Sequence, residues 1–295
     1  MPGWRFLRER RWLGYLAFAT VVAIVCCLLG AWQFARRAEA RTEITRVEQN
    51  WDHEPVPLAD AVPNPSHFDE DDKWLPVLLE GHYLLDEQLL ARNRPFSGQP
   101  GFEILVPFQT LDGRIFIVNR GWLPTGSTQD LPDVLPVAPS GQLSVVARLK
   151  AGEPALDGRG APEGQIATIE LAQFDERIGG VDTAAYGLLA QETPAPAGPQ
   201  AVLATKPVPD EGPHLSYALQ WYVFAILAFV AFGYAARQEY RVLNADDPEE
   251  RERAQERDRK RRERRSDADI EDEILEAEDR ELDARERADG HANSR

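Results

Sequence analysis

Two long apolar runs, one near each end of the sequence, constrain this chain more than any other feature. The first, LGYLAFATVVAIVCCLLGAWQF, covers residues 13–34, and the second covers residues 215–236. At about 1.5 Å of rise per residue, a helix of this length is roughly 30 Å long and can cross a bilayer. We therefore predict two transmembrane helices at these positions.

A cleaved signal peptide is the alternative interpretation of the first run. Signal peptides have a shorter apolar core, which is followed by a cleavage site of small residues. Here the run ends in WQFARRAEAR, with an aromatic residue and then arginines. This ending favours a membrane anchor that stays on the chain.

The basic residues outside the two runs suggest an orientation. Residues 1–12 and 237–295 must lie on one side if both runs cross the membrane, and the excess of arginine predicts that this side is the cytoplasm. Residues 38–213 then form an extracytoplasmic domain. The arginines that favour this topology are Arg5, Arg8, Arg10, Arg11, Arg237 and Arg241, while Arg36, Arg37 and Arg41 on the other side weaken the signal.

Between the apolar runs, the hydrophobic pattern changes to the alternation that is typical of strands. The segment LDG at residues 111–113 predicts a hairpin turn between two of them, and IELAQFDERIG, from Ile169, predicts a short helix. We therefore expect a mainly antiparallel β domain with a helical insert, between two transmembrane helices. The predicted strands begin near Lys73, Glu87, Gly101, Arg114, Gln142 and Gln200.

Charge and cysteine content exclude several classes of protein. The formal net charge is −16, from 33 basic and 49 acidic residues, which argues against a nucleic-acid-binding protein with a broad basic face. The two cysteines, Cys26 and Cys27, are adjacent in an apolar run, so they do not predict a disulfide framework.

Residues that would indicate an enzyme are hard to find. There is no dinucleotide-binding or P-loop motif, and no serine or cysteine lies in a nucleophile motif. The acidic segment DEDDK, from Asp69, is more typical of a solvated loop than of a metal site. We therefore expect a protein without catalytic activity.

Polar and aromatic residues gather where the two apolar runs would leave the membrane on the same side. An interfacial aromatic belt with snorkelling arginines is one interpretation. It explains the glutamines poorly, and a hydrogen bond between Gln33 and Gln220 is the alternative. The residues are Trp32, Gln33 and Arg36 at the end of the first run, and His214, Tyr217, Gln220 and Trp221 at the start of the second.

The segment VNRGWLP places Arg120 at the end of a predicted strand, beside a glycine and Trp122. Arg120 could bind a carboxylate or a propionate group at the membrane boundary. Alternatively, it completes a hydrogen-bond network at the strand end beneath a packed Trp122. The sequence alone leaves both possibilities open.

The C-terminal tail, residues 237–295, is highly charged and predicts a solvated helix or a disordered segment. Glu249 and Arg253, like Glu256 and Lys260, are spaced to pair on one helix face.

Four segments, LGAWQFARR, LLARNRPFSGQPGFEILVPF, VNRGWLP and HLSYALQWYVFA, occur in this order between about residues 10 and 240. Together they resemble the Surfeit-locus-one family of cytochrome c oxidase assembly factors, which have two transmembrane helices around one outer domain. The long charged tail departs from the family pattern. Because no transit peptide is evident, the resemblance implies a version in the bacterial plasma membrane, with both termini in the cytoplasm.

The resemblance implies a chaperone that helps to deliver heme a to the oxidase catalytic subunit. It implies that His214 binds the heme iron, a bond that a neutral imidazole can form. Tyr217 and Trp221 would pack beside the porphyrin, and Arg36 or Arg120 would pair with propionates. Heme a synthase is a further possible partner. The alternative is a scaffold that stabilises the oxidase without touching heme, with His214 hydrogen-bonded to the backbone.

Overall fold

The computed structural model describes residues 3–127, 130–156 and 158–262. Its helices are α1 (Arg10–Asn50), α2 (Leu58–Ala61), α3 (Leu171–Ile178) and α4 (His214–Leu243). Its strands are β1 (Val56–Pro57), β2 (Pro76–Tyr83), β3 (Leu89–Ala91), β4 (Gly101–Thr110), β5 (Ile115–Pro124), β6 (Leu143–Ala151), β7 (Gln165–Ile166) and β8 (Ala185–Thr193). Short 3-10 turns occupy Gly3–Arg8, Glu70–Asp72 and Leu85–Glu87, and residues 248–262 are helical.

The described residues form two compact units. The helical unit combines residues of the ranges 1–34 and 215–295, and the barrel unit comprises residues 35–214. The part of the predicted tail beyond residue 262 lies outside the described residues.

The barrel unit is built on one sheet whose strands close into a ring. The sheet order is β1-β2-β6-β8-β5-β4-β3-β7, and an additional pairing between β2 and β4 makes a barrel of β2, β6, β8, β5 and β4. Four of the five pairings in the ring are antiparallel, and the β5–β8 pairing is parallel. The expected antiparallel β domain is therefore present, but the sequence did not predict its closure into a barrel.

Alternation of apolar side chains along the strands gives the barrel two cores. On β5, Phe116 and Val118 belong to one buried cluster, whereas Ile115 and Ile117 belong to a second. The second cluster includes Phe174 of the predicted short helix α3, so α3 covers this face of the sheet. Because both of its faces are buried, β5 is apolar except at Asn119 and Arg120.

The strand predictions succeeded for β2 to β6, but one predicted strand is absent and three strands, the short β1 and β7 and the long β8, were missed. The segment from Gln200 is not a strand, and only an isolated bridge joins Val202 to Trp122. Conversely, β8 was missed, although it connects β6 to β5 in the ring. Its sequence, AYGLLAQET, begins with a continuous apolar stretch because the strand is buried on both faces, so it lacks the alternation that identifies a half-exposed strand.

In the helical unit, α1 and α4 pack side by side in antiparallel directions. Trp12 contacts Phe232, Cys26 packs with Ala225, and Gly30 lies against Tyr222, so residue numbers rise along α1 as they fall along α4. Beyond these contacts the helices expose large apolar side chains, including Phe18, Leu28 and Ile226. Both helices are long and apolar enough to cross a membrane. Apolar exposure on this scale is unfavourable in water and favourable in lipid.

Helix α1 is longer than the predicted span, because it continues past residue 34 to Asn50. This extension belongs to the barrel unit and is fixed there by polar contacts. Glu43 accepts a hydrogen bond from the Trp74 indole at 2.9 Å, and Arg46 pairs with Asp71 at 3.0 Å. The DEDDK segment, expected to be a solvated loop, therefore forms a short turn that contacts the helix extension.

Barrel closure between β2 and β4 depends on a close approach at Gly81, and this gives a first prediction. A Cβ atom at Gly81 would lie 1.9 Å from the backbone oxygen of Gln109 on β4. Backbone atoms in a ring cannot move aside cheaply, so Gly81→Ala should cost more than about 3 kcal/mol of stability. Urea unfolding followed by resistance to protease measures the loss.

The control for this substitution is Gly233→Ala in α4, where a Cβ atom would meet nothing within 4 Å. Unfolding of this variant should match that of the parent protein. A Gly81→Ala protein as stable as the parent would show that β2 and β4 are not paired at this residue.

Packing of α1 against α4 gives a second prediction. In a Cys27→Ser background, Ala225→Cys should form a disulfide with Cys26 on mild oxidation, because these side chains pack in one buried cluster. Cleavage at a protease site inserted at residues 195–199, followed by non-reducing electrophoresis, would then leave the two fragments linked. Ile226→Cys, at the adjacent exposed position, should link much less. Equal linkage of both variants would contradict the described helix pair.

Candidate functional site

The structure distributes the predicted site residues over both units. Those in the helical unit are Trp32, Gln33, Tyr217, Gln220 and Trp221, and those in the barrel unit are Arg36, Arg120 and His214.

Within the helical unit, aromatic side chains pack where α1 and α4 meet near residues 30 and 222. The Tyr222 ring covers Gly30 so closely that a Cβ atom there would lie 2.9 Å from Cε2 of the ring. The ring centroids of Tyr222 and Phe34 are 6.2 Å apart. Trp221 packs against a buried cluster that includes Cys26 and Ala225. Where α1 and α4 meet here, aromatic rings therefore pack on small residues such as Gly30 and Ala225.

The other residues predicted here are more exposed. Trp32 and Tyr217 expose about half of their surface, Gln220 is exposed, and Gln33 is half-buried. Exposed tryptophan and tyrosine side chains at a helix end suit a membrane interface. The hydrogen bond between Gln33 and Gln220 stays a prediction.

His214 is the first residue of α4 and is half-buried. It follows a turn in which Gly212 has φ = +66°, a conformation that favours glycine. A Cβ atom at residue 212 would lie 3.3 Å from Cδ2 and Nε2 of the imidazole, so the ring lies over the glycine. Among the described residues, no group of three or more His, Cys, Asp or Glu side chains is arranged to hold a metal ion.

The arginines after the first apolar run pair with acids. Arg36 contacts Glu39 one turn along α1 at 2.6 Å, and both side chains are exposed. Arg37 and Arg41 both contact Glu211, at 2.9 Å and 3.3 Å. An exposed pair such as Arg36–Glu39 is worth little, about 0–1 kcal/mol, so Arg36 can exchange its partner at low cost.

Arg120 is at the centre of a buried network that joins three strands. Its Nε and Nη2 atoms donate to the two carboxylate oxygens of Glu192 on β8, at 2.8 Å and 3.0 Å. The Tyr83 hydroxyl, at the end of β2, donates to the same carboxylate at 2.6 Å, and the Pro136 carbonyl accepts from Arg120 Nη1 at 3.3 Å. The side chains of Arg120 and Glu192 are only 4% and 1% exposed.

The charges of this network depend on each other. Burial opposes the charge of Arg120, but hydrogen bonds to Glu192 and its negative charge outweigh burial and raise the pKa of the guanidinium. Burial, and then the charge of Glu192, raise the pKa of the Tyr83 hydroxyl well above its ordinary value. The tyrosine therefore stays protonated and keeps donating to the carboxylate.

This network is the second of the two possibilities that the sequence left open for Arg120. Trp122 follows it on β5, mostly buried, and donates its indole N–H to the Arg94 carbonyl at 2.7 Å. Because Glu192 already holds the Arg120 guanidinium, a propionate could bind Arg120 only by displacing a buried carboxylate. The arrangement suits a structural ion pair.

Three important residues were missed from the sequence. Glu192 and Tyr83 complete the Arg120 network, and Tyr222 of α4 packs on Gly30 of α1. A signal for Glu192 was present, because it is a charged residue in a segment that begins AYGLLA. Tyr222 could have been found from its position one residue after Trp221 in the second apolar run.

The buried ion pair gives a third prediction. Arg120→Ala should destabilise the protein by about 3–5 kcal/mol, because it leaves the Glu192 carboxylate buried without a cation. Denaturant unfolding measures this loss. Adding Glu192→Met to an Arg120→Met protein should recover part of the stability, since the double variant has no buried charge.

Arg177→Ala is the matched control, because Arg177 pairs with Glu87 at the surface. Its loss should be within about 1 kcal/mol. If Arg120→Ala is as mild as this control, the Arg120–Glu192 pair does not stabilise the barrel.

Comparisons with known proteins identify relatives of this chain. The sequence profile of the SURF1 family matches residues 20–226, which include most of α1, the whole barrel and the start of α4. Uncharacterised SURF1-like proteins of Mycobacterium tuberculosis and Mycobacterium bovis are 32% identical over 247 residues, 82% of this chain and 89% of theirs. The cytochrome oxidase assembly protein SHY1 of Saccharomyces cerevisiae is 31% identical over 114 residues, 37% of this chain and 28% of the yeast protein.

The profile match extends over well over half of the chain, and the mycobacterial relatives align with almost their full length. This chain therefore belongs to the SURF1 family.

Proposed function

We propose that this protein is a membrane-bound assembly factor for cytochrome c oxidase. The observation that carries the proposal is family membership, together with similarity to a yeast relative that is named as a cytochrome oxidase assembly protein. A chain that combines two apolar helices with a β domain suits a protein that acts on a membrane enzyme during its assembly. In this role the protein is a chaperone of the respiratory chain and catalyses no reaction.

The proposed location is the bacterial plasma membrane, with both termini in the cytoplasm. The relatives that cover most of the chain are mycobacterial, which supports a bacterial membrane. The antiparallel packing of α1 and α4 suits two helices that cross one bilayer in opposite directions. The excess of arginine at both chain ends supports the orientation.

The proposed cargo is heme a, delivered to the oxidase catalytic subunit. His214 would bind the iron through its imidazole, the only one on α4. Tyr217 and Trp221 follow one and two turns later on the same helix, so they can pack beside a flat ring. Arg36 supports a propionate contact, because its partner Glu39 is exposed and easily replaced. When bound, the heme would supply the metal centre that the oxidase needs.

A scaffold that stabilises the oxidase without heme is the alternative function. Exposed apolar side chains on both helices favour it, since they could pack against helices of a partner as well as against lipid. Heme a synthase, from which a carrier would receive its cargo, is a partner only under the first proposal.

The assembly role predicts a loss of oxidase in a strain that lacks the gene. Membranes of such a strain should lose most of their cytochrome c oxidase activity and heme a absorbance, and the full-length chain should restore both. Normal oxidase in the deletion strain would contradict the assembly role.

The cargo is tested separately, with the detergent-purified protein made together with heme a synthase. A heme a band should be present, and His214→Ala should remove it without changing the amount of protein. The control is His82→Ala, an exposed histidine on β2. A colourless protein that still restores the oxidase would favour the scaffold, and a band that survives His214→Ala would exclude His214 as the ligand.

A further inference from the structure

A cleft on the barrel unit is lined by an excess of arginine. It has a volume of about 620 Å³, within the range of roughly 300–1,000 Å³ that is typical of small-molecule sites. Its charged lining residues are Arg92, Arg94, Arg159 and Glu153. Among the described lining residues there are three cations and one anion, and Arg94 also pairs with Glu103 at 3.3 Å, so positive charge is in excess here on a chain whose formal net charge is −16.

The arginines of this cleft differ in what they contact. The barrel unit contains eleven arginines, and within the described part of the chain nine of them pair with acids or with aromatic rings. Arg92 and Arg159 are the exceptions, because no side-chain hydrogen bond, ion pair or ring contact is described for either. Both line the same cleft. Free guanidinium groups that share one cavity are suited to binding an anion.

Arg94 gives the cleft a rigid wall. Its Nη2 atom contacts Glu153 at 2.6 Å, its backbone N–H donates to the Gly101 carbonyl at 2.9 Å, and its carbonyl accepts from the Trp122 indole. Glu153 also accepts from the Ile169 backbone N–H at 3.1 Å. Burial raises the pKa of the Glu153 carboxyl, but these bonds outweigh burial and lower it. Glu153 is thus an anion that is already neutralised by Arg94.

The hydroxyl group of Thr168 supplies a further donor. Thr168 lines the cleft, and no hydrogen bond of its side chain is described, although the residue as a whole is only 8% exposed. Because the hydroxyl oxygen is not among the fully buried side-chain atoms, it can donate a hydrogen bond to a ligand in the cleft. A hydroxyl beside two free guanidinium groups matches the acceptor atoms of an oxyanion.

We propose that this cleft binds a small molecule through an oxyanionic group, either a carboxylate or a phosphate. Arg92 and Arg159 provide the charge, Thr168 donates a hydrogen bond, and the Arg94–Glu153 pair holds the wall in place. This site lies in the barrel unit and does not depend on heme handling by α4.

Calorimetric titration of the full-length protein in detergent with succinate, and separately with inorganic pyrophosphate, tests the proposal. At low ionic strength at least one of them should bind, and added salt should weaken the binding because the contact is ionic. Binding of succinate alone assigns a carboxylate ligand, binding of pyrophosphate alone assigns a phosphate ligand, and binding of both assigns a general oxyanion site.

The decisive variant is Arg92→Gln with Arg159→Gln. Since neither side chain has a described partner, the double variant should keep the parent melting temperature while its affinity for the anion falls at least tenfold. Arg177→Gln, which removes one arginine outside the cleft, should bind like the parent. The proposal is overturned if neither anion binds the parent, or if the double variant binds as tightly as the parent. Neither result bears on oxidase assembly.

Discussion

The barrel depends on the buried ion pair between Arg120 and Glu192. Strands β5 and β8 are the parallel neighbours in the ring, and they share only two registered residue pairs, at Val118 and Asn119. Arg120 is the next residue on β5, and its two bonds to Glu192 continue the connection by side chains where the backbone pairing ends. Tyr83, at the end of β2, donates a hydrogen bond to the same carboxylate. One carboxylate therefore ties together three of the five strands of the ring.

The buried Arg120–Glu192 pair constrains the register of β5 against β8. Transfer of an arginine and a glutamate out of water costs several kcal/mol, and their attraction offsets this cost only when all donors and acceptors are satisfied. Here the Tyr83 hydroxyl supplies one further bond to Glu192, and the Pro136 carbonyl accepts one from Arg120. An apolar contact would tolerate sliding of β5 along β8, whereas a bidentate pair fixes one register. The network thus helps to fix the register of β5 against β8, where only two residue pairs are in register.

Local patterns predicted much of the fold, and the failures came from long-range contacts. Strand β4 and the hairpin at residues 111–113 followed from alternation and turn residues, and α3 from its helical pattern. Pairs one turn apart also formed as expected, with Glu249–Arg253 and Glu256–Lys260 both at 3.1 Å. Barrel closure depends on the pairing of β2 with β4 and on the buried strand β8, and neither leaves a local pattern.

At the candidate site, too, local sequence identified residues, but it did not identify their distant partners. Composition placed aromatic and polar residues at the ends of the two apolar runs, and within the helical unit Tyr222 does pack on Gly30. For Arg120 the sequence could not choose between a ligand and a structural partner, because the deciding residue, Glu192, is 72 positions away. Residue type and spacing therefore identify candidates, whereas only a folded chain shows which charges are already neutralised.

The arginines that line the cleft or the barrel core differ in whether a carboxylate already neutralises them. Arg120 and Arg94 are held by buried or half-buried carboxylates, so removing them would damage the fold before it affected any ligand. The side chains of Arg92 and Arg159 have no described partner in the fold, and both line the same cleft. Their structural roles are therefore sufficient to explain why Arg120 and Arg94 are present. For the second two, binding of an external anion is the explanation that accounts for their charge, their shared position and the Thr168 hydroxyl in the same cleft.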